Sequence, residues 1–124
     1  MTIDRLIRGF FGQDAAEKEL KKQGYTIIER NFRCRHGEID IIAEHGTYIV
    51  FIEVKTRSNR SFGTPACSID SRKKRRIIMS ARQYLSMRGI SDRDARFDVA
   101  SIELNRGATA IEIIKDAFND EYGQ

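Results

Sequence analysis

Apolar and polar positions change their period along the chain, and the changes divide it into seven predicted elements. Asp14 to Gln23 holds helix-forming residues with Ala15, Ala16 and Leu20 as its apolar positions and Gly24 as a stop signal, which predicts a first helix. Tyr25 to Arg33 is rich in β-branched and aromatic residues and predicts a strand. Glu38 to Ala43 alternates only in part, whereas Tyr48 to Val54 is almost continuously apolar, so the latter should be a central strand covered on both faces. His45-Gly46 is the expected turn between them. Arg57 to Cys67 contains Ser, Asn, Gly and the only proline, and reads as a basic loop. In Ser71 to Met87 the residues Ile77, Ile78, Ala81, Tyr84 and Leu85 recur at helical spacing, with Gly89 beyond them. Phe97 to Leu104 and Ala110 to Ile114 are the last predicted strands, joined at Asn105-Arg106-Gly107, and the residues after Ala117 read as a frayed tail. The order αβββαββ predicts an α/β domain with a mixed sheet flanked by helices, and 124 residues suit a single domain with one core.

Composition narrows the partners. No apolar run approaches the roughly 20 residues of a membrane span, and Met1 to Gly12 lacks the apolar core of a signal peptide, so no membrane is expected and the cytoplasm is the expected compartment. Cys34 and Cys67 read as free thiols, and a zinc site combining them with His36 and His45 matches no standard spacing. Charge is unevenly placed: Val54 to Arg88 holds ten Lys or Arg against Asp70 alone, so that segment is +9 and the remainder of the +4 chain is −5. A solvated helix face is the ordinary reading of a charge run. Yet Arg72 to Arg76 fall in the first turns of the predicted helix, where the macrodipole disfavours cations, and a phosphate backbone accounts for their position. A nucleic acid is therefore the expected partner, with Arg33, Arg35, Arg57, Arg60, Arg72, Lys73 and Arg76 as candidate contacts.

The stretch that can carry chemistry is Gly37 to Arg57, where Asp40, Glu53 and Lys55 fall on two adjacent predicted strands. Two carboxylates can hold a divalent cation, and an ammonium beside them can orient an attacking water. If Glu44 pairs with Thr47 across His45-Gly46, then Glu38 faces Glu53 and Asp40 faces Phe51. Alternation then brings Glu38, Asp40, Glu53 and Lys55 out on one face, with Asp40 diagonal to Glu53 at about 7–8 Å between Cα atoms. Three clustered carboxylates repel one another, and Glu53 interrupts an apolar strand that had every reason to continue. A bound Mg²⁺ or Mn²⁺ resolves that cost; a strand-end salt bridge from Lys55 is the competing reading.

The acid, the hairpin and the Glu-x-Lys that follows, with a helix upstream and a basic helix downstream, resemble the restriction-endonuclease-like superfamily of nucleases, which includes Holliday-junction resolvases. More closely, the chain resembles the small uncharacterised bacterial family typified by YraN. The matching residues include Gly12, Ala16, Leu20, Arg30-Asn31, Gly37-Glu38-Ile39-Asp40, Phe51 to Arg57, Lys73, Tyr84-Leu85, Arg96 to Val99 and Ala117-Phe118. The resemblance covers about Gly9 to Phe118. It implies a restriction-endonuclease-like fold, with Asp40, Glu53 and the Val54 carbonyl as metal ligands and Lys55 as the catalytic lysine. It also implies an endonuclease selective for branched DNA, and it allows a homodimer. One residue departs from the pattern: the family usually has Gly-Glu in the first helix, and here Gln13 stands in place of the acid. Gln13 can accept a hydrogen bond from a metal-bound water but brings no charge, so either the site binds metal more weakly or Glu38 supplies the missing charge, and Gln13 and Glu38 are the two accessory candidates. The alternative is a non-catalytic nucleic-acid-binding module with a degenerate nuclease site. Asp98 reads equally as a buried partner for an arginine or as a site residue, and Tyr84 as core.

Overall fold

In the computed structural model, which describes residues 3–57, 69–105 and 108–119, the elements follow the predicted order. Helix α1 (Ile3–Lys22) precedes strands β1 (Thr26–Cys34), β2 (Gly37–His45) and β3 (Tyr48–Arg57); helix α2 (Ser71–Arg88) is followed by β4 (Ala95–Asn105) and β5 (Ala108–Phe118). One five-stranded sheet runs β1-β2-β3-β4-β5. Its β3–β4 pair is parallel and the other three are antiparallel. A parallel pair needs a crossover, and α2 lies in that connection. The result is a mixed α/β sheet flanked by two helices.

Each helix closes one face. Ile77, Ile78, Ala81 and Tyr84 of α2 pack with Phe32, Ile39, Ile42, Ile49, Phe51, Phe97, Val99 and Phe118. Ala16 and Leu20 of α1 pack with Tyr25, Ile41, Ala43, Val50, Ile52, Ala100 and Ile102. The near-continuous apolar run of β3 follows from this, because Ile49 and Phe51 feed one cluster while Val50 and Ile52 feed the other. α1 approaches β3 so closely at Gly12 that a Cβ there would lie 2.5 Å from Thr56 Oγ1. α2 is capped by Asp70, whose Oδ1 accepts from the Lys73 N–H at 2.8 Å, and ends at Gly89 in the left-handed region. No described helix is long and apolar enough to cross a membrane.

Several expectations change. α1 starts at Ile3, far upstream of Asp14. His45 pairs with Tyr48, so the β2–β3 turn is Gly46-Thr47 rather than His45-Gly46, and the register moves by two residues. The assumed alternation also fails in β2: Ile39 and Ile42 share the α2 face while Ile41 and Ala43 face α1. Asn31 of β1, with φ +53°, lies between Arg30, paired with Ile41, and Phe32, paired with Ile39. A left-handed residue rotates the strand, so Arg30 reaches Glu17 of α1 at 2.8 Å while Phe32 meets Tyr84 of α2. Asp40 sits at the same break in β2. At the other end, β5 continues to Phe118, which is buried against Phe97 with ring centroids 5.1 Å apart, so the tail expected after Ala117 is ordered core at that residue.

Asp98 is fully buried, and its partner is Arg96, two residues away on β4. Arg96 donates to both carboxylate oxygens at 2.9 and 2.8 Å. Tyr25 Oη donates at 2.6 Å, and the Asp116 N–H at 3.0 Å completes the shell. Burial, then the Asp98 carboxylate, push the Tyr25 hydroxyl well above its usual range, so it stays a donor. His45 stacks on Tyr25 at 4.1 Å and takes Arg96 through Nδ1 at 3.0 Å. Asp98 is thereby a structural lock, as one of its two readings had it.

Candidate functional site

The backbone ladder between β2 and β3 ends at Ile41–Ile52. Just beyond, the Asp40 carboxylate takes over: its Oδ2 accepts from the Val54 N–H at 2.8 Å. The Asp40 carbonyl accepts from Gln13 Nε2 of α1 at 3.3 Å. Asp40 is therefore fixed by both of its neighbours, β3 and α1, and its carboxylate meets that of Glu53. Glu53 lies on the covered part of β3 and is only 6 % exposed. Burial first, then the charge and hydrogen bond of Asp40, push the Glu53 carboxyl up to about 8, against a smaller lowering by Lys73.

The cation beside this pair is not the one the motif suggested. Lys73 of α2 places Nζ 3.4 Å from Glu53 Oε2. Lys55, two residues along β3, is half-buried and makes no hydrogen bond or ion pair among the described residues. Among the described residues the strand-end salt bridge from Lys55 is thus absent, and Lys73, expected to touch phosphate, is held by a carboxylate. Glu38 does not join the acids either; it turns to Arg33 at 3.5 Å on the exposed rim. Among the described residues no three acidic, histidine or cysteine side chains gather into a metal cluster. The predicted set of three carboxylates is therefore a pair, because the face change at Asp40 leaves Glu38 on another course.

The basic candidates separate. Arg72, Arg75 and Arg76 of α2, with His36 and Met79, line an open groove of about 360 Å³ where α2 crosses the β1–β2 turn. Gly37 in that turn has φ +143°, a conformation that side-chain-bearing residues rarely adopt, and Arg76 lies over it at ordinary contact distance. Arg35 is exposed in the same turn. Arg57 differs from expectation, since it belongs to β3 and pairs with Glu103 at 3.4 Å, largely buried. Arg60 and Cys67 lie outside the described residues. Cys34 and His45 sit at opposite ends of the β1–β2 hairpin, so the zinc combination has no geometric basis.

Two features escaped sequence reasoning. Glu17, 5 % exposed, is buried beside Ala16 and Leu20 and holds Arg30; helical spacing from Leu20 was the available signal. Ser101 stands beside Lys55 in the β3–β4 register, and its buried Oγ finds no partner among the described residues. Nothing local marks that position.

Residues 12–102 match the model of a family described as "Uncharacterised protein family UPF0102". The chain is similar to a UPF0102 protein of Moorella thermoacetica, 49 % identical over 120 residues, which cover 95 % of this chain and 100 % of the relative. It is similar also to UPF0102 proteins of Hahella chejuensis, 46 % identical over 96 % of this chain and 98 % of the relative, and of Persephonella marina, 46 % identical over 94 % and 97 %.

Proposed function

The chain belongs to the uncharacterised protein family UPF0102, whose description assigns no activity, and from the geometry of the site we propose that it is a metal-dependent endonuclease of restriction-endonuclease-like fold. The observation that carries this reading is the Asp40–Glu53 pair. A buried carboxyl pressed against a second carboxylate costs stability, and the neighbouring lysine does not relieve it fully, since burial and Asp40 still push the Glu53 carboxyl up to about 8. The donor set suits Mg²⁺ or Mn²⁺, ions held by one or two carboxylates together with substrate oxygens, and the Val54 carbonyl is the third protein donor we assign. Bound there, the cation would polarise the scissile phosphate and lower the cost of deprotonating the attacking water.

Asp40 is held in place by the Val54 N–H and Gln13, so its carboxylate keeps one orientation toward Glu53. Lys55, unpaired among the described residues, has its ammonium available to orient the water. Water oxygen bonds to phosphorus, the ester P–O bond breaks, the leaving oxygen gains a proton, and the water proton passes to solvent. Arg72 and Arg76 grip the backbone, with His36 across the groove and the exposed Arg35 next to it in the same turn. The absence of a base-reading module among these contacts favours recognition of structure, branched DNA above all, and a homodimer would meet two strands.

The test is cleavage of end-labelled four-way junction, flap, single-stranded and duplex DNA in Mg²⁺ and in Mn²⁺, with Asp40→Asn alongside. Activity lost in the variant supports the reading. Wild-type binding without cleavage in either metal favours the second reading, a nucleic-acid-binding module with a degenerate site. That reading draws on Gln13, whose Nε2 donates to the Asp40 carbonyl and which brings no charge to the site where the family pattern the chain resembles has an acid.

A further inference from the structure

Lys73 is poorly placed for stability alone. It is the third residue of α2, whose first turn contains no acid, and the helix macrodipole there opposes a cation. Its Nζ nonetheless lies 3.4 Å from the buried Glu53 Oε2, with the side chain still 43 % exposed and its stem free to swing. Lys55, carried by the same strand as Glu53, leaves that carboxylate to it. An ammonium and a divalent cation cannot both sit against one pair of carboxylates without repulsion.

Resting on the two-carboxylate reading above, we propose that Lys73 is a built-in counter-ion of the Asp40–Glu53 pair, which a divalent cation must displace and which a phosphate backbone draws away. Lys73 thus lowers metal affinity while no polyanion is bound. The displaced ammonium lies on the helix that carries Arg72 and Arg76, so it becomes a further phosphate contact when the groove is filled. Metal and nucleic acid then bind with positive coupling, which by linkage acts equally in both directions. The sign at the site follows from charge. Removing Lys73 also lets the pair hold a proton more firmly, but a divalent ion feels the lysine's repulsion twice as strongly as a proton does, so the net effect is tighter metal binding.

The experiment is Mn²⁺ binding without nucleic acid, read from the paramagnetic resonance of free Mn²⁺, for wild type, Lys73→Met, Lys73→Arg and Asp40→Asn. Lys73→Met should bind Mn²⁺ about 3–10-fold more tightly, as loss of one partly screened unit charge predicts, and Lys73→Arg should stay near wild type. Unchanged or weaker binding by Lys73→Met overturns the proposal while leaving the metal site standing. If wild type binds no Mn²⁺, or Asp40→Asn binds it as well, the two-carboxylate reading itself falls and the proposal falls with it. Misfolding cannot imitate the expected result, because a gain in affinity requires an intact site.

Discussion

Glu53→Gln turns the strain in the site into a measurable quantity. The Glu53 carboxyl is raised from 4.5 to about 8, chiefly by burial and then by Asp40. At roughly 1.4 kcal/mol per pH unit, that interval amounts to about 5 kcal/mol, a cost that belongs to the contact between the two carboxyls as well as to the burial of Glu53. The sign is fixed by which state keeps the proton. Below pH 4.5 the carboxyl is neutral in folded and unfolded chains alike, and stability is undiminished. As pH rises toward 8 the unfolded chain loses the proton and the folded one retains it, so stability falls, reaching a plateau above the folded value. By pH 7 the loss is about 3 kcal/mol, which for a chain of this size corresponds to roughly 10 °C in Tm. Gln cannot ionise. Thermal melts at pH 4, 7 and 8.5 should therefore show Glu53→Gln level with wild type at the lowest pH and increasingly more stable above it. At pH 8.5, Mn²⁺ should raise the wild-type Tm and leave the variant's unmoved. Parallel pH profiles for the two proteins would refute the account of Glu53 as a buried, repelled carboxyl.

Other changes separate chemistry from architecture. Lys55→Ala should abolish cleavage while shifting urea stability by less than about 0.5 kcal/mol, since the lysine has no ion pair to lose among the described residues; a large destabilisation would show that it is structural. Gly12→Ala should cost about 1–2 kcal/mol by driving a Cβ against Thr56, and the cost should shrink in the Thr56→Ala background; additive losses in a double-mutant cycle would reject the contact. Arg96→Ala should destabilise by about 3–5 kcal/mol through the uncompensated Asp98 charge, measured by urea unfolding, and a loss under 1 kcal/mol would contradict the lock. Arg72→Ala and Arg76→Ala should each lower the salt slope of DNA binding by about one, and an unchanged slope would place the DNA elsewhere.

Element order and the identity of the paired acids were legible in the chain because both rest on local signals. The burial of Ile49 and Phe51 on one face and Val50 and Ile52 on the other is what a run of alternating contacts to two layers looks like in one dimension. Asp70 before α2 and Gly89 after it are caps whose physics is confined to a turn. Asp40, Glu53 and Lys55 stood out as two acids and an ammonium on adjacent strands, with Glu53 interrupting an otherwise apolar run. Boundaries were read less fully: α1 extends upstream through Ile3, Leu6, Ile7, Phe10 and Phe11, whose i, i+3, i+4 spacing is itself a helical signal that the start at Asp14 left out, and Phe118 is core only because Phe97 is there to receive it.

What only the tertiary structure decided depends on groups far apart in sequence. The left-handed Asn31 and the neighbouring break at Asp40 turn both strands over, so Glu38 goes to Arg33 and the acids number two instead of three. Gly12 lets α1 settle against Thr56, which brings Gln13 to the Asp40 carbonyl. The docking of α2 across the β1–β2 turn selects Lys73 over Lys55 as the partner of Glu53, although the latter is its neighbour along the chain. A sequence specifies such pairings only through the packing of whole elements, because the energy of an ion pair depends on distance and burial, and neither quantity exists until the sheet and both helices have closed around it.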